Sequence, residues 1–347
     1  MKRESRPTIL INQSYASQRV TGQQRYATEV ATRLLKLPEF KAVTPGPFWS
    51  HAALRTWLWL QTVLPWLARR SIVLSMTSRA PLWRRRHVLV VHDLFVLTNP
   101  EWFSRLYCLT HAPLLRAQIR SAAAIVAVSQ PVADQLASMY HGPVVVAANA
   151  PSDVFRVSDP DIGALAARGL HPGGYFLAVG SMDPRKNLRR LADAYRGLSL
   201  EERRAHPLVV VGGGSGIFKD DAVNWPEEAV DAGYISDEDL RQLYRHSGAV
   251  VLASLAEGFG LPLVEASAAG ARNLVVSDIP VFRWICGPAA HYVDPLSVDS
   301  IADGLRQALR GTPAEQPELD RFDWDCSSRV VGELCGAVAR SAAEVSS

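Results

Sequence analysis

Ala249-Val250-Val251-Leu252-Ala253-Ser254-Leu255-Ala256-Glu257-Gly258-Phe259-Gly260-Leu261-Pro262-Leu263-Val264-Glu265 is the stretch from which the architecture can be read. Ala249–Leu252 is a short continuous apolar run, the pattern of a parallel strand covered on both faces. Two glycines follow, and Pro262 then stands where it suits the first turn of a helix over Pro262–Ala269. A strand that turns through glycine into a helix exposes backbone N–H groups at the helix N-terminus, where an anion binds with no Cβ in the way. Glu257 precedes the turn and Glu265 lies inside the helix. One carboxylate can accept hydrogen bonds from two adjacent sugar hydroxyls, so the pair is suited to hold a sugar at one end and a ribose at the other. Taken alone, Glu257 would read as an ordinary acid near a helix N-terminus.

The same rhythm extends outward. Upstream, Tyr175–Val179 reads as a strand, Leu188–Leu198 as a helix, Pro207–Val211 as a strand and Asp237–His246 as a helix; downstream, Asn273–Val276 is a strand. Between the strand at 175 and its helix lies Val179-Gly180-Ser181-Met182-Asp183-Pro184-Arg185-Lys186-Asn187. Two cations delivered to a helix start make a site for a diphosphate, although an isolated Arg-Lys pair is more often merely solvated. The run Gly212-Gly213-Gly214-Ser215-Gly216 lacks a clear GxGxxG register with an acid about 20 residues on, which argues against a dinucleotide-dependent dehydrogenase.

The amino-terminal half alternates in the same way. Thr8–Ile11 is a strand, a polar loop leads to Gly22 and a helix over Gln23–Lys36, and Val88–Val91, Ala124–Val128 and Val144–Ala147 are further strands. Asn149–Gly174 reads as a linker with one short helix. The expected architecture is α/β, with two Rossmann-like sheets in tandem and a ligand between them at the carboxyl ends of the strands. The expected domains are 1–160 and 174–325, with a last helix within 326–347 crossing back to the amino-terminal domain.

Bulk properties agree with this picture. A chain of 347 residues with 48% hydrophobic residues is long enough for two cores and excludes collagen-like, disordered and disulfide-stapled classes. The four cysteines, Cys108, Cys286, Cys326 and Cys335, have neither CxxC nor CxH spacing, so no zinc site or disulfide framework is indicated. The start, MKRESRPTILINQSY, lacks the apolar run of a signal peptide, and a cytoplasmic setting is expected. Residues 1–170 carry 20 Lys and Arg against 9 Asp and Glu, whereas residues 171–347 carry 17 against 25. The basic half suits an anionic substrate or a membrane surface, and nucleic acid is disfavoured because no recognition motif accompanies the charge. Within it, HAALRTWLWLQTVLPWLARR (51–70) is too short and too interrupted by Pro65 to span a bilayer. It reads either as a buried helix covering the sheet or as an interfacial segment resting tryptophans at headgroup depth, and Arg84-Arg85-Arg86 nearby favours an anionic surface.

The segments GSMDPRKNL and EGFGLPLVEASAAG resemble the retaining GT-B glycosyltransferases of the GT4 type, with the separation of Glu257 and Glu265 matching that family's E-x7-E motif. HDLFVLTNPEWF from His92, AVSQ to Gln130, NAPSDVF at Asn149–Phe155 and FDWD at Phe322–Asp325 are similar to further family segments, so the likeness spans about Thr8 to Asp325. The resemblance implies a GT-B fold with the donor site in the interdomain cleft. It implies that Arg185 and Lys186 bind the donor diphosphate, that Glu257 contacts the transferred sugar and Glu265 the ribose, and that amides around Phe259, Gly260 and Leu261 cradle the sugar and distal phosphate. Gly180 belongs to the same donor loop. His92 would reach the donor sugar, the alternative being a histidine held in structural hydrogen bonds, and Gly22 would let backbone approach the phosphates or acceptor. The chain departs from the family where Gly22-Gln23-Gln24 replaces Gly-x-Gly and where VFRWICG puts Trp284 in place of a common glutamate.

The expected activity is retaining transfer of a sugar, best read as mannose from GDP-mannose, to a lipid-linked or oligosaccharide acceptor in bacterial O-antigen or exopolysaccharide assembly. Other readings are a UDP-sugar donor and, more remotely, a nucleotide-sugar epimerase; a non-enzymatic scaffold would have no need of paired carboxylates beside a diphosphate site. No DxD cluster stands at a strand end, so no metal and no cofactor is expected. The implied partners are the nucleotide-sugar donor, a glycolipid or oligosaccharide acceptor, and the cytoplasmic face of the inner membrane, met through the basic half.

Overall fold

The computed structural model describes residues 8–18, 21–82, 84–158, 161–181, 183–212, 223–310, 315 and 317–344. They divide into two compact units, one of Met1–Thr98, Arg105–Asn149 and Phe322–Ser347, the other of Asn99–Ser104 and Ala150–Arg321. The chain therefore changes unit after Asn149, at the start of the stretch read as a linker and not at 160. It returns at Phe322, so FDWD goes with the first unit and not with the second. The linker itself forms a 3-10 turn at Asp153–Arg156 and a short helix at Gly163–Ala166.

The first unit holds β1 (Ile9–Asn12), β2 (Phe40–Val43), β3 (Ile72–Ser75), β4 (His87–Val91), β5 (Ala124–Ala127) and β6 (Val144–Val146), all parallel, in the order β2-β1-β3-β4-β5-β6. Every residue of β3, β4 and β5 is buried, as continuous apolar runs require of central parallel strands. Leu89, Val91, Ile125 and Ala127 pack with Ile119, Val132 and Leu136 from the helices Arg105–Ser121 and Gln130–Leu136. Ser129 caps the latter by accepting from the Val132 N–H, with Pro131 in the first turn.

Residues 51–70 form two short helices, Ala53–Gln61 and Val63–Leu67, broken at Thr62, because Pro65 has no N–H to continue the ladder. Their inner side, Trp59, Leu60 and Leu64, is buried with Val73. Leu54, Trp57, Leu58, Trp66 and Leu67 on their outer side are exposed, so the segment covers the sheet with one side only.

The closing helix, Trp324–Glu344, starts two residues ahead of the 326–347 expected for it, with the Asp323 carboxylate accepting from the Cys326 N–H. It lies on the helix Gly22–Leu34, where Arg33 pairs with Asp325 at 2.6 Å, and Ser327 donates to the Ala148 carbonyl of the same unit.

The second unit holds β7 (Phe176–Val179), β8 (Leu208–Val211), β9 (Val230–Gly233), β10 (Ala249–Leu252), β11 (Leu274–Ser277) and β12 (His291–Val293), again all parallel, in the order β12-β11-β10-β7-β8-β9. Its core sets Leu188, Leu191 and Tyr195 of the helix Leu188–Arg196 against β7, β8 and Ile301 and Leu305 of the helix Val298–Arg310. Both sheets are Rossmann-like. In each, the chain works outward from its first strand and then restarts on that strand's other side. The second sheet reverses between β7 and β10, and a parallel sheet opens a crevice at the carboxyl ends of the strands where its order reverses.

Candidate active site

β7 ends at Val179, and the chain continues through Gly180 into a single 3-10 turn, Pro184–Lys186. Asp183, its side chain fully buried, caps that turn by accepting from the Arg185 N–H at 3.0 Å and from Arg185 Nε at 2.6 Å. One carboxylate thereby fixes both the backbone and the guanidinium of Arg185. Asn187 follows with φ +58, the one described non-glycine residue in the left-handed region. Its Nδ2 donates to the carbonyls of Ala253 at 2.9 Å and Pro295 at 2.7 Å, bonds that tie the turn to the end of β10 and offset the backbone strain.

β10 delivers Glu257 to the same place. Lys186 Nζ donates to Glu257 Oε1 at 2.5 Å and Arg185 Nη1 to Glu257 Oε2 at 3.2 Å. Ser254 Oγ donates to Oε1 at 2.8 Å, and the Leu255 N–H donates to the Arg185 carbonyl at 2.7 Å. Burial pushes the Glu257 carboxyl up, but the charges of Lys186 and Arg185 and the hydrogen bonds from Lys186 and Ser254 outweigh it and hold the group below the ordinary carboxylate range. The result is a buried carboxylate clamped by two cations, each able to exchange that carboxylate for phosphate oxygens.

Two close approaches build the floor. A Cβ on Gly180 would lie 3.3 Å from the Lys186 side chain, and one on Gly212 would lie 1.9 Å from the Gly180 carbonyl oxygen. The turn after Glu257 is equally tight. Gly260 has φ +98, and a Cβ there would lie 2.8 Å from the Phe282 ring. Leu261 then opens the helix Leu261–Ala268, with Pro262 in its first turn and Glu265, 5% exposed, in its interior. Phe259 is buried edge-on to Trp284.

Residues 170–320 match the family model described as Glycosyl transferases group 1. The chain is 29% identical over 269 residues to O-antigen chain mannosyltransferase B of Escherichia coli, a match covering 71% of this chain and 69% of that protein. It is 25% identical over 293 residues to O-antigen chain mannosyltransferase RfbU of Salmonella typhimurium, covering 80% of this chain and 76% of the relative. The chain carries a group 1 glycosyltransferase domain over residues 170–320. Its fold is that of GT-B enzymes: sucrose-phosphate synthase from Thermosynechococcus elongatus superposes over 98% of both chains with a TM-score of 0.67 at 16% identity.

Of the residues singled out in this glycosyltransferase, Arg185, Lys186 and Glu257 meet in one cluster, with Gly180 packed against Lys186. Phe259, Gly260, Leu261 and Glu265 occupy the turn and helix that follow. His92 and Gly22 belong to the first unit. His92 Nε2 bonds the Met76 carbonyl at 2.8 Å, and its ring stands edge-on to Tyr26. Burial lowers its pKa, the Met76 bond and Asp93 opposing. A carbonyl only accepts, so Nε2 carries the proton and Nδ1 keeps its lone pair. Gly22 opens its helix with nothing among the described residues within 4 Å of an added Cβ and no positive φ, so none of them requires glycine there.

Asp183, Ser254 and Asn187 complete the site and were not singled out from the sequence. The PRKN segment contains the one usable signal, since an asparagine directly after a turn tolerates left-handed backbone. The glycine run from Gly213 lies outside the described residues.

Proposed function

We propose that this glycosyltransferase moves a mannosyl group from GDP-mannose to a lipid-linked or oligosaccharide acceptor in the assembly of bacterial surface polysaccharide, at the cytoplasmic face, with retention of configuration and without a metal. The observation that carries the donor site is the Arg185–Lys186–Glu257 cluster where the second sheet reverses between β7 and β10. The two relatives named as O-antigen mannosyltransferases support the sugar and the setting.

The chemistry follows from charge. Breaking the bond between the sugar's anomeric carbon and the diphosphate oxygen, while an acceptor hydroxyl oxygen bonds that carbon and gives its proton to the departing diphosphate, builds positive charge on the sugar and negative charge on the leaving group. Arg185 and Lys186, already fixed in place, stabilise that leaving charge with no reorganisation at the moment of reaction. The arriving diphosphate competes with Glu257 for the two cations, and the displaced carboxylate turns its oxygens to hydroxyls of the transferred sugar. Glu265 holds the ribose, and the N–H groups around Phe259, Gly260 and Leu261 with the Gly180 loop hold the sugar and distal phosphate. His92, protonated on Nε2, presents an Nδ1 lone pair able to accept from a sugar hydroxyl.

Thermal-shift titration with GDP and UDP, without added metal, tests the donor. Stabilisation by GDP, repeated in EDTA, is the expected result; stabilisation by UDP alone would overturn the mannosyl assignment, and a strict need for Mg²⁺ would overturn the metal-free one.

A further inference from the structure

We propose that the outer side of the Ala53–Gln61 and Val63–Leu67 helices, with the arginine-lined amino-terminal edge of the first sheet, docks on an anionic lipid bilayer. This deepens the reading of a lipid-linked acceptor by giving the enzyme a surface for the membrane that would hold it.

Several observations converge on that face. Leu54, Trp57, Leu58, Trp66 and Leu67 are exposed, Leu54 at 69% and Trp66 at 63%, and they recur at helical spacing opposite the buried Trp59, Leu60 and Leu64. Tryptophan and leucine on the outer side of a helix, bordered by arginine, are the residues that settle at headgroup depth. No described helix is long and apolar enough to cross a membrane, so the contact is one of lying on the surface.

The charge around the patch has one sign. From Phe40 to His92 the chain has no Asp or Glu and eight Lys or Arg. Between Glu101 and Asp134 it again has no acid, with Arg105, Arg116 and Arg120. The fold gathers many of these at the starts of β3, β4 and β5. Arg69 and Arg70 precede β3, and Arg84–Arg86 precede β4. Arg84 spans the two segments by donating to the carbonyls of Pro65, Ala68 and Ser71. Arg85, Arg116 and Arg120 line one groove of about 900 Å³ beside the start of β5. Arg69 lies 5.0 Å over the Trp66 ring and Arg55 4.6 Å over Phe48, so apolar and cationic groups share one surface. A two-dimensional array of exposed guanidinium groups beside exposed indoles matches a sheet of lipid phosphates.

Co-sedimentation of the full chain with phosphatidylcholine vesicles, with and without phosphatidylglycerol, reads the interaction. Binding is expected only with phosphatidylglycerol and should weaken as salt rises. The double variant Trp57→Ser/Trp66→Ser and the triple variant Arg69→Glu/Arg70→Glu/Arg85→Glu should each lose it, at about fivefold or more in partitioning for each arginine changed. All of these side chains are exposed, so both variants should keep the wild-type melting temperature and nucleoside diphosphate response, which separates failure of docking from failure of the donor site. Wild-type protein that ignores phosphatidylglycerol, or variants that bind as well as wild type, would overturn the proposal. So would a wild-type dimer that the tryptophan variant splits, since a second copy would then cover the face.

Discussion

Lys186 and Glu257 are 71 residues apart in the chain and share a hydrogen bond. That contact explains why part of the site was legible in the sequence and part was not. Arg185, Lys186 and Glu257 are recognisable because each sits beside a glycine turn at a strand end. Asp183 and Ser254 act only through contacts that folding creates, and neither has a distinctive neighbour in sequence. Lys186→Ala is expected to lower kcat about 100-fold or more while far-UV circular dichroism stays native, since it removes charge aimed at the leaving group. Asp183→Asn should act differently. It leaves both cations in place but releases Arg185 from its carboxylate, so steady-state kinetics should give a donor KM raised about tenfold with a smaller change in kcat.

At the level of elements, the buried strands could be read directly, as could the edge strand β6 with its unbroken Val144-Val145-Val146, while the other edge strands could not. β4, β5, β7, β8 and β10 are continuous apolar runs because helices cover both faces. β2 (Phe-Lys-Ala-Val), β9 (Val-Asp-Ala-Gly) and β12 (His-Tyr-Val) lie at sheet edges, where one side meets solvent and the apolar run breaks up. β3 was missed for a different reason: Ile-Val-Leu-Ser is apolar but follows the longer apolar stretch 51–70, which obscured it. The glycines at strand ends are where element geometry is least forgiving. Gly212→Ala places a methyl on the Gly180 carbonyl, and Gly260→Ala adds a methyl against Phe282 at a positive φ. Each is expected to lower stability by about 1–3 kcal/mol and to abolish turnover, read by urea unfolding and by activity. Gly22→Ala should leave stability within about 0.5 kcal/mol, because none of the described residues meets the added methyl.

For the whole molecule, the two units are two parallel sheets of six strands each, and the closing helix returns to the first. The first unit also contains a buried titratable group that sets acid stability. His87 in β4 has no solvent exposure, neither ring nitrogen has a hydrogen-bond partner among the described residues, and burial together with the nearby Arg84 pushes its pKa down to about 3. The unfolded chain takes up a proton near pH 6.5 that the folded chain refuses, so stability is complete above that pH and is lost as pH falls from about 6.5 toward 3. The expected slope is up to about 1.4 kcal/mol per pH unit, and urea midpoints at a series of pH values should show it reduced in His87→Leu. The central claim concerns the second unit, where cations from the end of β7 wait on a carboxylate from the end of β10. Calorimetric titration of GDP into wild-type protein and Lys186→Ala, without metal, tests it most directly. Micromolar binding that disappears in the variant is the predicted result; no binding of GDP or UDP by the wild type, or binding that survives in the variant, would contradict it.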